Sequence, residues 1–162
     1  MIVIIMGVSG SGKTTIGKHL EKAMNSVFFD ADDYHTDNNK IKMKKGVPLN
    51  QKDRDPWLKS LRLLIDKYLT DQKNMILACS ALSHKSRSIL GIRRKEVQLV
   101  YLKGPKELIK KRIEKRHHFM PLSLLDSQFL ELSQPTNAIV LDINLKPNQL
   151  VAQICDRLKL SK

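Results

Sequence analysis

Residues 2–15 constrain this chain more than any other stretch. Ile2 to Met6 is a short, unbroken apolar run rich in β-branched side chains, the pattern of a strand buried on both faces. Gly7-Val8-Ser9-Gly10-Ser11-Gly12-Lys13-Thr14 follows at once and fits GxxxxGK(S/T), the phosphate-binding loop. Backbone N–H groups can wrap a polyphosphate only at close range, and glycines at 7, 10 and 12 remove the Cβ atoms that would obstruct it. The helix expected from Lys13 through Thr15 and onward points its N-terminal dipole at the same anion. Lys13 is placed to reach the β- and γ-phosphates of ATP, and the Thr14 hydroxyl to ligate Mg²⁺.

The rest of the chain alternates strands and helices. Apolar runs predict strands at Val27–Asp30, Met75–Cys79, Val97–Leu102 and Ala138–Ile143. Helical spacing predicts helices over 13–24, 36–45, 84–90 and 122–132, and from Pro105 and Pro147. Asp55-Pro56 reads as an N-cap and first helical residue, opening a helix with Leu58, Leu61, Ile65 and Leu69 on one stripe. The expected architecture is a three-layer α/β/α P-loop NTPase fold with a five-stranded parallel sheet and a helical lid. The 162 residues suit one domain over 1–162. Ligands of such sheets bind beyond the carboxyl ends of the strands, where the phosphate loop, Asp30 to Asp33 and Cys79-Ser80 all fall.

Composition narrows the partners. A net charge of +13 invites a nucleic-acid reading, but aromatic residues that would stack on bases make up only 5%. A lysine-rich solvated surface accounts for the excess as well, so no nucleic-acid partner is expected. No run is long enough to span a membrane. Two cysteines, Cys79 and Cys155, form no metal-ligand pattern, and with no targeting segment they suit a reducing cytoplasm.

Cations and carboxylates then suggest roles. The third strand ends Ala-Cys-Ser, without the acid that often holds Mg²⁺. Asp30, Asp32 and Asp33 after strand two are the nearest acids by topology. Side chains alternate along an extended chain, so Asp30 and Asp32 are expected to face the same gap. Asp30 would sit by Thr14 and the metal, Asp32 would accept the proton of an attacking hydroxyl, and Asp33 would cap a helix. Arg112 and Arg116 lie one turn apart before a His117-His118-Phe119-Met120-Pro121 break, fitting a lid that neutralises the transferring phosphoryl group. Arg54 and Arg87 are candidates for bidentate recognition of an acceptor carboxylate. Trp57 reads as core. The chain lacks the Asn-Lys-x-Asp stretch of a G-protein.

These residues resemble the gluconokinases, which belong with the shikimate- and adenylate-kinase-like P-loop kinases. The resemblance rests on the loop opening and on Asp30-Ala31-Asp32-Asp33-Tyr34-His35, Asn39, Lys42-Met43 and Gly46-x-Pro48-Leu49-Asn50. Asp53-Arg54-x-Pro56-Trp57-Leu58, Cys79-Ser80-Ala81-Leu82, Tyr101-Leu102-Lys103-Gly104, His118-Phe119-Met120 and Ser127-Gln128-Phe129 extend it over roughly residues 2–135. It implies ATP- and Mg²⁺-dependent phosphorylation of D-gluconate at its 6-hydroxyl, a lid around 113–125 and a homodimer. Onto matching positions it carries Lys13, Asp32 and Arg116 as catalytic residues, with His35, Lys42, Arg54, Arg87 and His118 at the sugar acid. Departures from the family pattern are Ser83 for its lysine, Ser86 for its tyrosine, Gln51 for its acid, and shorter lid and 135–143 segments. The readings weighed against it are a kinase of this fold for shikimate, another sugar acid or a nucleotide, and a non-catalytic nucleotide- or nucleic-acid-binding protein.

Overall fold

The computed structural model describes residues 1–115 and 121–159. Among them one parallel sheet is formed by β1 (Ile2–Met6), β2 (Val27–Asp30), β3 (Met75–Ala78), β4 (Val97–Lys103) and β5 (Ile139–Asp142), in the order β2-β3-β1-β4-β5. The helices are α1 (Lys13–Met24), α2 (Asp37–Lys44), α3 (Gln51–Thr70), α4 (His84–Leu90), α5 (Lys106–Lys115), α6 (Leu122–Glu131) and α7 (Pro147–Arg157). None is long and apolar enough to cross a membrane.

Alternation along β1 builds the layers. Ile2, Ile4 and Met6 pack with Trp57, Leu58, Leu61 and Ile65 of α3 and Leu90 of α4. Val3 and Ile5 turn to the other face, where Ile16 and Leu20 of α1, Ile109 of α5, and Leu150 and Ile154 of α7 cover them. All five residues of β1 are buried, as a strand covered on both faces requires. The crossover after β1 runs past β3 to β2, and the one after β3 runs past β1 to β4. The carboxyl ends of β1 and β3 therefore flank the switch point, where a crevice opens.

Three local expectations are corrected. Helix α3 begins at Gln51, four residues before Asp55, because Asn50 caps it. The Asn50 side chain accepts from the Asp53 amide at 2.9 Å, and the Asp53 carboxylate accepts from the Asn50 amide at 3.0 Å, a reciprocal capping box. Pro56 consequently lies inside the helix, on an exposed face shared with Lys52, whose carbonyl water can serve. Residues Ala31–Tyr34 form a 3-10 turn capped by Asp30, not an extended continuation of β2, and the next helix, α2, is capped by Thr36, whose hydroxyl accepts from the Asn39 amide, not by Asp33. Asp30 accepts from the Asp32 amide at 3.1 Å, which folds the chain over at the strand end.

Candidate active site

The phosphate loop joins β1 to α1. Gly12 stands at the N-cap of α1 with φ 101°. Gly10 has φ 77°, and a Cβ there would lie 2.7 Å from the Ile113 side chain, so the loop closes against α5 only without one. The Lys13 ammonium donates to the Gly7 and Val8 carbonyls at 3.0 Å each, curled over its own loop. Burial lowers its pKa, while Asp32, Cys79 and Asp30 oppose the shift. The Thr14 hydroxyl donates to Asp30 Oδ2 at 2.8 Å. A hydroxyl and a carboxylate oxygen side by side at the strand ends are hard donors of the kind Mg²⁺ takes, alongside phosphate oxygens.

A cavity of about 410 Å³ opens beside this loop. Ser9, Lys13 and Asp32 form its phosphate side, and His35, Lys40, Lys44, Arg54, Trp57, Ser86, Gln128 and Glu131 form much of the rest. Asp32 is exposed at the mouth of this space. Partial desolvation at the loop raises its pKa, and Lys13 pulls it back while Asp30 and Asp33 push it further up. Asp30 and Asp32 thus both act on Lys13, although through a turn and not by strand alternation.

His35 is only 7% exposed and lies flat on Trp57, ring centroids 4.1 Å apart and planes at 18°. The Trp57 indole N–H donates to the Ala31 carbonyl at 2.7 Å, so this residue is core and pocket wall together. Burial, with help from Lys40 and Arg54, pushes the His35 pKa down to about 4. Stability follows from that depression. The unfolded chain binds a proton near pH 6.5, the folded one only near 4, so the contribution is complete above 6.5 and is lost as pH falls between the two. The loss is roughly 3 kcal/mol. Urea unfolding of wild type and His35→Phe from pH 7 to 4 should give a visibly flatter decline for the variant; parallel curves would contradict a buried neutral histidine.

The expected cations separate. Arg54 reaches the pocket, pairing with Glu131 of α6 and donating to the Leu49 carbonyl at 2.7 Å. Arg87 does not join it there. Only 2% exposed, it donates to the Ala81 and Leu82 carbonyls at 3.0 and 2.7 Å and to Ser133 at 2.9 Å, holding the β3–α4 turn. Lys42 is 2.7 Å from Asp53, at the start of α3, and is not part of the pocket wall. Arg112 donates to the Ile143 carbonyl at 2.6 Å, tying α5 to the loop after β5. Arg116 and His118, with the middle of the expected 113–125 lid, lie outside the described residues.

Other residues take their places. Lys40 and Lys44, four apart on α2, line the pocket. That spacing puts them on one face, but in a stretch carrying Lys40, Lys42, Lys44 and Lys45 nothing in the sequence shows which face is inward. Gln128 accepts from the Ser9 amide at 2.7 Å, and Glu131 one turn on meets Arg54. Ser83 caps α4 by accepting from the Ser86 amide at 3.1 Å, and the buried Ser86, its hydroxyl 2.9 Å from that of Ser83, lines the pocket.

A model of the shikimate kinase family matches residues 9–159. A probable gluconokinase of Rattus norvegicus is 39% identical over 180 residues, covering 98% of this chain and 97% of that protein. A gluconokinase of Arabidopsis thaliana is 39% identical over 171 residues, covering 96% of this chain and 90% of that one. The crystal structure of a gluconokinase from Sinorhizobium meliloti 1021 has a TM-score of 0.85 and 30% identity to this chain, covering 97% of it and 90% of that chain.

Proposed function

We propose, from the premise that this chain belongs to the gluconokinase family of shikimate-kinase-like proteins, that it transfers the γ-phosphoryl group of ATP to the 6-hydroxyl of D-gluconate. The observation that carries this reading is one cavity that joins Lys13 of the phosphate loop, the Asp32 carboxylate and the cations Arg54, Lys40 and Lys44. The acceptor oxygen attacks the γ-phosphorus as the bond to the β-bridging oxygen breaks, and the hydroxyl proton passes to Asp32. Residues 7–15 cradle the polyphosphate, and Lys13 leaves its loop carbonyls for the charge building on the transferred group. Thr14 and Asp30 would hold Mg²⁺, which supplies charge neutralisation across the β- and γ-phosphates.

Arg54, flanked by Lys40 and Lys44, is the holder of the acceptor carboxylate. Arg87 holds the β3–α4 turn and Lys42 the head of α3, the helix that carries Arg54. A lid at 113–125 carrying Arg116 and His118, one kinase domain over 1–162, a homodimer and a cytoplasmic location complete the reading, on the strength of the family resemblance.

An acceptor screen with ATP and Mg²⁺, read by ADP release, tests it. Gluconate should exceed glucose and gluconolactone in kcat/KM by at least about a hundredfold, because a site built for a charged group rejects the analogue lacking it. Shikimate and AMP should be poor. Equal use of glucose would remove carboxylate recognition, and preference for shikimate would move the chain to another acceptor class.

A further inference from the structure

Between Asp32 and the core stands a short relay. The Trp57 stack fixes the plane of the His35 ring and leaves both nitrogens at its edge. Nδ1 faces the Asn39 side-chain nitrogen at 3.5 Å, and Nε2 faces Asp32 Oδ1 at 3.9 Å. Asn39 is 3% exposed, and the same amide nitrogen donates to the Asp53 backbone carbonyl at 2.7 Å. A carbonyl only accepts, so that contact fixes which end of the Asn39 amide is nitrogen. The atom facing Nδ1 is therefore a donor. Nδ1 must accept, and the proton of the neutral ring sits on Nε2.

We propose that His35 is a positioning residue for phosphoryl transfer: held by Asn39 as the Nε2–H tautomer, it points one donor at Asp32 and fixes one carboxylate oxygen, leaving the other for the acceptor hydroxyl. This rests on Asp32 being the base. Burial supports it by keeping the ring neutral down to about pH 4, so the single donor persists through the working range. The 3.9 Å separation is of the loose kind that tightens once a site is filled. The chain of contacts reaches back to the capping box of α3, which holds Asp53 and so ties the orientation of the base to a rigid helix start.

Three substitutions and one spectrum test it. His35→Phe keeps a ring on Trp57 and removes the donor; His35→Asn reaches only the Nδ1 position; His35→Gln places an amide N–H near the Nε2 position. His35→Phe and His35→Asn should lower kcat by about 10- to 100-fold, as loss of alignment does, with the ATP KM little changed. His35→Gln should recover most of that loss. Combined with Asp32→Asn, His35→Phe should lower kcat no further, since it acts through that carboxylate. In ¹⁵N spectra of the folded wild type, His35 should show a pyridine-type Nδ1 and a pyrrole-type Nε2. The opposite tautomer, a glutamine variant no better than phenylalanine, or effects that multiply would each overturn the proposal. If Asp32→Asn costs activity and His35→Phe does not, this inference alone fails. If Asp32→Asn is harmless while the tautomer stands, the base reading fails and takes the positioning role with it. Melting temperatures of all variants separate either result from misfolding.

Discussion

Asp32→Asn is expected to lower kcat by about 10²–10⁴-fold, the range of a lost general base, with little change in the ATP KM. The substitution keeps the shape of the side chain and removes its capacity to take a proton. Asp32 is the carboxylate on the phosphate side of the cavity, with Lys13, whereas Glu131 is paired with Arg54 and Asp30 is occupied by the Thr14 hydroxyl and the Asp32 amide. Partial desolvation and two neighbouring aspartates raise the Asp32 pKa against the pull of Lys13, the direction that favours accepting a proton. Asp30→Asn should instead raise the Mg²⁺ concentration needed for half-maximal rate. Measuring kcat, gluconate KM and Mg²⁺ dependence for both variants separates the roles. Retention of more than about a tenth of kcat in Asp32→Asn would make Asp32 a positioning group, and transfer would then proceed without a protein base, as a loose transition state allows.

Lys13→Ala should leave the fold intact and lower kcat by about 10²–10³-fold, the usual cost of removing one group that meets developing charge. Among the described residues its hydrogen bonds run to the Gly7 and Val8 carbonyls of the same loop, so no hydrogen bond to another element is lost with it. The effect should fall on kcat more than on ATP affinity, because the loop amides still bind ground-state phosphates. Circular dichroism and melting temperature should match wild type. Near-normal turnover would remove the phosphate-loop assignment altogether.

The parts of this molecule that could be read from its sequence are those where residue type alone decides. An unbroken β-branched run, three glycines and a lysine admit few structures, and residues 2–15 fold as that pattern requires. Period-3.6 stripes placed the helices because burial of Leu58, Leu61 and Ile65 is a property of spacing. The start of α3 was misplaced because two signals competed. Asp55-Pro56 is the louder dipeptide, but Asn50 and Asp53 satisfy two orphan amides at once. Arg87 and Lys42 show the limit for sites. Sequence names a cation but not what its donors meet, and here backbone carbonyls and Asp53 meet them first. The orientation of Asn39 and His35 was hidden for the same reason, since it depends on a carbonyl fourteen residues away.

Helix α6 touches the two halves of the cavity with residues three apart: Gln128 holds an amide of the phosphate loop and Glu131 holds Arg54. Both contacts imitate ligands, an oxygen on a phosphate-binding amide and a carboxylate on an arginine. A rigid rod with a surrogate at each position is a balance beam. A ligand oxygen at the Ser9 amide and a ligand carboxylate at Arg54 would each compete with a side chain of this one helix. By linkage, whatever factor one such ligand imposes on the affinity of the other is imposed equally in return.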